Sequence, residues 1–279
     1  MDIAVKNIVS KSILSKAQGY LDIGFTHSLN PYSGCIFACS YCYVREMPIQ
    51  TFKEMSWGTW LEIKTNAAEV YRSELRRLRR NGKPVNLFMS SATDPYQPIE
   101  RKAQVSQAIL QAMVDDPPDL LQIQTRSPLV TRDLDLLVEL NKKCELLVSI
   151  TVETDREDMK RIFAPYAPGI KLRLKALGTL HQAGIRTQAA ISPVLPFTPN
   201  FPDALHGIVD RIWIDTLMLG DGMKGKRSER LGMPQLFAAH GLEEWYRSDI
   251  HTRVESYFKK HFAKTMIHVS KQQAFPNRI

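Results

Sequence analysis

The chain of 279 residues holds only four cysteines and shows no internal repeat and no low-complexity tract. Nowhere does an apolar run approach the ~18 residues that a membrane span needs. Three of the four cysteines fall within eight positions, a poor disulfide framework for a chain this long, so a bridged extracellular scaffold is not expected. The opening stretch MDIAVKNIVSKSIL has no continuous apolar segment and no small-residue cleavage site. No secretory signal is read there, and a reducing cytoplasm is the expected location, with no membrane partner. Apolar residues make up 44% and charged residues 24%, which excludes a mainly disordered or collagen-like chain and leaves material for a sizeable core. Lys and Arg (37) exceed Asp and Glu (29), a net +8 that suggests an anionic partner without establishing one.

What is present is a repeating order of short β-branched runs and amphipathic stretches, the pattern of parallel βα units. Strands are expected at Thr26–Tyr32, Val85–Ser90, Leu120–Thr125, Leu146–Val152, Thr187–Ile191 and Ile212–Leu219. Between them, helices are expected from Leu61 to Arg80, ended by Asn81-Gly82 and Pro84, then from about Val105 to Met113, from Thr131 to Leu140 and within Leu172–Ala183. A short helix is expected at Pro202–Asp210. Thr93-Asp94-Pro95-Tyr96-Gln97-Pro98 reads as a loop because its two prolines exclude regular structure. Six strands fall short of the eight of a closed barrel, so the fold class is α/β with an open six-stranded barrel. Residues 1–25 form an N-terminal extension and 26–220 the barrel. The remainder, 221–279, is a basic, glycine-rich mobile loop to 241 followed by a helix over Leu242–Phe262 that packs on the barrel.

Cys35, Cys39 and Cys42 stand at C-x₃-C-x₂-C. Three thiolates can hold three irons of a cubane cluster and leave the fourth open to another donor. The alternative is a structural zinc or iron site that only braces a loop, with zinc completed by His27 or Cys144. Cys144, at the start of an apolar strand, reads most simply as a buried small hydrophobe.

This triad, with an aromatic before its last cysteine and a strand before its first, resembles the radical S-adenosylmethionine (SAM) superfamily. Asn30-Pro31-Tyr32-Ser33-Gly34-Cys35, Tyr41-Cys42-Tyr43 and Thr93-Asp94-Pro95-Tyr96-Gln97-Pro98 are similar to its spore photoproduct lyase-like group. The likeness runs from about Asn30 to Leu219. It implies an open (β/α)₆ partial TIM barrel of the radical SAM type and a lyase-like or oxidoreductase enzyme. The implied cofactors are a [4Fe-4S] cluster on Cys35, Cys39 and Cys42, and SAM chelating the fourth iron. Reductive cleavage of SAM would give a 5′-deoxyadenosyl radical that takes hydrogen from a substrate, with an electron donor such as flavodoxin or ferredoxin as partner.

The same resemblance implies roles for further residues, each with a plainer alternative. Tyr41 matches the aromatic beside the adenine, or simply packs over the cluster loop. Ser90 and Ser91 match contacts to the SAM amino group and ribose, or cap a strand end. Asp94 either holds a ribose hydroxyl or caps the next helix. Arg126 stands where the related lyases carry a Lys that meets the SAM carboxylate, and a guanidinium binds a carboxylate two-pronged; otherwise it is a surface Arg. Ser149 and Glu153, an even number of positions apart, fall on the inner face of the fourth strand; Ser149 matches a SAM contact, and Glu153 joins it unless it lies past the strand in a surface ion pair. Pro193 and Val194 match backbone contacts to the adenine. Spore photoproduct lyase has a hydrogen-donating cysteine where this chain has Ser91, whereas Tyr41 and Tyr43, matching its radical relay, are both present. The serine argues against photoproduct repair. Nucleic acid remains a candidate substrate because residues 221–279 carry 11 Lys and Arg against 6 Asp and Glu. A peptide-modifying radical enzyme is the competing reading, although no second cysteine-rich segment follows the barrel.

Overall fold

The computed structural model describes residues 3–80 and 82–270. The expected helix stop at Asn81 and the end of the C-terminal extension, 271–279, lie outside the described residues. In chain order the strands are β1 (Ala4–Ile8), β2 (Leu14–Lys16), β3 (His27–Leu29), β4 (Tyr32–Ser33), β5 (Trp60–Lys64), β6 (Asn86–Met89), β7 (Leu120–Thr125), β8 (Glu145–Thr151), β9 (Thr187–Ile191), β10 (Arg211–Ile214) and β11 (Ile267–Val269). The helices are α1 (Pro48–Thr51), α2 (Ala67–Arg79), α3 (Glu100–Ala103), α4 (Val105–Asp115), α5 (Leu134–Asn141), α6 (Glu157–Phe163), α7 (Ile170–Gln182), α8 (Lys226–Arg230), α9 (Met233–Ala238) and α10 (Ile250–Phe258).

Eight strands form one sheet in the order β11-β10-β9-β8-β7-β6-β3-β2, parallel throughout except where β2 runs antiparallel to β3. The fold is therefore α/β, a partial barrel carrying the six expected parallel strands and a seventh, β11, supplied by the C-terminal extension. Alternation within each strand sorts the residues. Leu121 and Ile123 of β7 and Val148 and Ile150 of β8 join the helices in the outer core, with Ile109 and Met113 of α4 and Leu177 and Leu180 of α7. On the inner side, Phe88, Leu120, Ala190 and Trp213 pack on Ala17, Leu21 and Phe25, so the N-terminal extension plugs the barrel from within.

The helices expected near Val105–Met113 and within Leu172–Ala183 are α4 and α7, whereas several other expectations need correction. The strand expected at Thr26–Tyr32 splits at Pro31, which has no N–H for a ladder; β3 joins the barrel while β4 joins a second sheet, β1-β5-β4. Trp60 to Lys64 form β5 and not the first turn of a helix, because Ile63 pairs with Tyr32 on one side and with Asn7 on the other. The helix expected at Pro202–Asp210 is one 3-10 turn, Asp203–Leu205, and the strand after it ends at Ile214. The loop expected over 221–241 contains α8 and α9. Asp221 accounts for that order: its carboxylate accepts the backbone N–H groups of Met223, Gly225, Arg227 and Ser228. The helix expected over Leu242–Phe262 is a 3-10 turn, Glu243–Trp245, followed by α10. Among the described residues no helix is long and apolar enough to cross a membrane.

Candidate functional site

In a parallel barrel the loops after the strand C-termini gather at one mouth. Here they enclose an open cavity of about 200 Å³, and Cys35, Cys39 and Cys42 all line it. The cysteine loop follows β4 and needs unusual backbone. Gly34 has φ +85, and a Cβ there would lie 2.6 Å from the Trp60 carbonyl oxygen. Ala38 takes φ +47, and Arg45 holds the turn by donating to the carbonyls of Ala38 and Cys39 at 2.8 and 3.0 Å. Trp57 and Trp60 pack behind Cys35 and Cys42, closing the loop from outside.

The three thiols fit a cluster better than a single ion. A zinc ion holding thiolates at about 2.3 Å draws its sulfurs to within about 4 Å of one another. Among the described residues, the one group of three metal-binding side chains whose ligand atoms all lie within 4.8 Å is the surface set Asp203, His206 and His261, not the cysteines. Separate irons of a cubane suit thiols set further apart. Nor does either proposed fourth zinc ligand reach the mouth. His27 opens β3 and pairs with Leu87 at the base of the barrel. Cys144 immediately precedes β8, likewise at the strand N-termini. Burial, then the Asp94 carboxylate and the other two thiols, push the Cys35 thiol well up; burial and Cys39 push Cys42 up to about 11. Binding iron would therefore displace protons from these thiols.

Of the other residues singled out in the sequence, Tyr41, Tyr43, Ser90, Ser91, Asp94, Arg126 and Pro193 line the cavity, whereas Ser149, Glu153 and Val194 do not. Ser90 closes β6 with φ +80, and its buried hydroxyl has no hydrogen-bond partner among the described residues. A buried hydroxyl facing a cavity without a partner is suited to a ligand. Ser91 accepts weakly from Asn30 Nδ2 at 3.4 Å, and its carbonyl accepts the Tyr43 hydroxyl at 2.7 Å. Asp94 does not cap the next helix, whose N-cap is Ile99. It braces the loop to β7, accepting Tyr96 N–H, the Thr125 hydroxyl and Arg126 N–H at 2.7–2.9 Å.

Arg126 and Glu153 belong to one buried network, which corrects the surface alternatives for both. Glu153 lies past the end of β8, yet it is 2% exposed. Its Oε1 accepts from the Tyr41 hydroxyl and from Arg126 Nη1, the latter at 2.5 Å, and its Oε2 accepts from Arg173 Nη1 at 2.6 Å. Burial pushes the Glu153 carboxyl up, but Arg173, Arg126 and the Tyr41 hydroxyl outweigh it and hold it at about 2. Arg126 Nη1 also donates to the Tyr41 oxygen at 2.8 Å. One edge of the guanidinium is thus anchored, while Nε and Nη2 have no partner among the described residues. That free edge can take a ligand carboxylate. Ser149 sits deeper on β8, where its hydroxyl accepts from Gln188 at 2.9 Å; Thr151, two residues on, reaches the cavity. Val194 packs behind the wall with its N–H on the Asp215 carbonyl.

Sequence reasoning passed over several lining residues: Gln124, Thr151, Gln188, Ser192, Asp215 and Thr216. The available signal was polar residues at alternate positions of otherwise apolar strands. Asp215 stands out because burial pushes its carboxyl up to about 7 and no cation pairs with it among the described residues. Gly220 passes so close that a Cβ there would lie 2.2 Å from Asp215 Oδ2.

Comparisons with known proteins agree with this fold. An uncharacterized protein of Methanocaldococcus jannaschii is 34% identical over 173 residues, 62% of this chain and 62% of that one. An uncharacterized protein of Mycobacterium tuberculosis is 29% identical over 214 residues, 75% of this chain and 62% of that one. The matched part thus spans less than two thirds of each relative's length. Among solved structures, a spore photoproduct lyase mutant superposes with a TM-score of 0.63 at 12% identity, covering 95% of this chain and 81% of that chain, a likeness of fold alone. A second lyase structure, with bound AdoMet and dinucleoside spore photoproduct, gives 0.61 over 96% and 81% at 12% identity. The family model of the radical SAM superfamily matches residues 29–206, from the end of β3 to the loop before β10, so the chain belongs to the radical SAM superfamily of enzymes.

Proposed function

We propose that this chain binds a [4Fe-4S] cluster on Cys35, Cys39 and Cys42 and SAM beside it, and uses them to take a hydrogen atom from a substrate held in the barrel mouth. The observation that carries the reading is the convergence of three spread thiols, the free edge of Arg126 and the unpartnered Ser90 hydroxyl on one cavity. When bound, cluster and SAM supply one-electron cleavage of the C5′–S bond to methionine and a 5′-deoxyadenosyl radical. The chain does the rest. Arg126, fixed by Glu153 and Tyr41, receives the SAM carboxylate; Ser90 offers its hydroxyl to a polar group of the ligand; Trp57, Trp60 and Val44 exclude water behind the thiols.

The reaction stops short of photoproduct repair. By the resemblance through Thr93-Asp94, Ser91 stands where the lyase has its donor thiol, and a serine O–H is too strong a bond to return a hydrogen atom. Tyr43 points its hydroxyl at the Ser91 backbone, and Tyr41 is spent on the Arg126 and Glu153 network. A nucleic-acid substrate is supported by the excess of cations after residue 220. The test is anaerobic iron and sulfide reconstitution, then reduction with dithionite in the presence of SAM. Absorbance near ~400 nm and 5′-deoxyadenosine are expected, both lost in Cys39→Ala. Wild-type protein with a full cluster and no 5′-deoxyadenosine refutes the proposal.

A further inference from the structure

The outer side of the cysteine loop carries a surface that the reaction inside the barrel does not use. The 3-10 turn Tyr43–Glu46 starts immediately after Cys42 and, at about 2 Å per residue, reaches only about 8 Å from it. It touches α1 on one flank and α8 on the other. Arg230 of α8 is latched to Glu46 at 2.7 Å, and its Nη2 meets the Met223 sulfur at 3.7 Å. Beyond α1, Phe52 is 86% exposed and Met55 42%; beside α8, Met223 is 39% exposed.

Charge on this face is net positive. Residues 43–56 and 222–231 together hold six Lys and Arg against three Glu. Glu46 is neutralised by Arg230, and Lys53 is held by Glu62 at 2.7 Å. Lys224 and Lys226 are exposed and have no ion pair among the described residues; Glu54 and Glu229 are exposed and unpaired there too, so the excess of cations over the two segments is three. Exposed apolar side chains and an excess of cations, on the segments flanking the turn that follows Cys42, suit a transient contact with an acidic protein that must approach the cluster.

We propose that the Tyr43–Glu46 turn, the Phe52–Met55 loop and the outer side of α8 form the docking surface of an acidic one-electron carrier of the flavodoxin or ferredoxin type. The proposal rests on the reading of Cys35, Cys39 and Cys42 as cluster ligands. One electron leaves the reduced carrier and enters the oxidised cluster; no atom or proton is transferred. Lys224 and Lys226 steer the carrier, and Phe52 with Met55 supplies the apolar contact. α8 has two sides with separate tasks, since Ser228 lines the cavity while Lys226 is exposed to solvent.

The test measures binding of an acidic flavodoxin, and in parallel a ferredoxin, to cluster-loaded and to metal-free protein by calorimetry at low and at physiological salt. The double variant Lys224→Glu with Lys226→Glu raises the carrier's Kd about tenfold or more at low salt, and the difference shrinks as salt rises. Phe52→Ser weakens binding severalfold at either salt. Bleaching of the cluster by reduced carrier slows in step, while reduction by dithionite and dithionite-driven 5′-deoxyadenosine formation do not change. An unaltered Kd for both carriers in the double variant overturns the proposal. So does an equal loss with dithionite, which needs no docking surface. If the double variant instead loses nucleic acid and keeps the carrier, the face serves nucleic acid and the proposal falls. Failure of the underlying radical SAM reading is separate: it shows in the wild type, with dithionite alone.

Discussion

Replacing Glu153 by Gln tests whether the buried network is what fixes Arg126. The carboxyl titrates ordinarily near 4.5 and is held at about 2 in the fold. At about 1.4 kcal/mol per pKa unit, the charged form stabilises the fold by about 3 kcal/mol at neutral pH. Independently, breaking a buried ion pair by removing one partner costs about 3–5 kcal/mol, because the guanidiniums of Arg126 and Arg173 are left uncompensated. The two routes agree. A depressed carboxyl contributes stability that is full above its unfolded pKa and is lost as pH falls through its folded pKa. The wild type should therefore exceed Glu153→Gln by about 3 kcal/mol near pH 7 and by only about half of that near pH 3. Urea unfolding of the metal-free protein at both pH values gives the two differences. SAM affinity of the cluster-loaded variant should also fall, since the amide no longer holds the guanidinium in place. A difference below about 1 kcal/mol at neutral pH, or one that does not change with pH, refutes the reasoning.

Arg126→Gln removes a charge-assisted contact worth about 1.5–3 kcal/mol, so SAM binding measured by equilibrium dialysis should weaken about 10- to 100-fold; unchanged affinity removes Arg126 from the site. Asp215→Asn should behave in the opposite sense to Glu153→Gln. Its carboxyl is raised to about 7, so the stability it allows is full below its unfolded pKa and lost as pH rises through about 7. The variant should be more stable than wild type near pH 8, by a few kcal/mol, and equal to it near pH 4, as read by urea midpoints. Gly34→Ala places a Cβ 2.6 Å from the Trp60 carbonyl at a φ of +85. Iron content after reconstitution should drop severalfold while the far-ultraviolet dichroism of the barrel is kept; full iron loading would show that the loop tolerates the shift.

How much of this was legible in the chain depended on whether local pattern and tertiary context agreed. The strands Leu120–Thr125 and Thr187–Ile191 fall where they were expected, because each is a compact run bounded by turn residues. Trp60 to Lys64 misled because Ile63 also fits the apolar face of the helix that begins at Ala67; only the distant partners Asn7 and Tyr32 make it a strand. β11 was missed because three residues carry no periodicity, and its pairing with β10 exists only in the fold. At the site, the thiols were readable because all three lie within eight positions on one loop. Glu153 was readable as a position but not as a role. Nothing near it in sequence shows that Tyr41, 112 residues earlier, and Arg173, on a later helix, meet on its carboxylate.

That distinction bears on Ser91, where position and role also separate. The fold delivers its side chain to the cavity wall beside Asn30, and the Tyr43 hydroxyl binds its backbone, so a thiol at this position would face the same cavity. If only the thiol is missing, Ser91→Cys restores a weak bond to hydrogen at an otherwise intact position. In deuterated buffer the thiol exchanges, whereas hydrogen on carbon does not. With a dinucleoside photoproduct as probe, the variant should therefore place solvent deuterium on carbon where the wild type places none. Deuterium at background level in a variant that still makes 5′-deoxyadenosine would show that the cavity excludes the dinucleoside, and that the serine is not what separates this chain from photoproduct repair.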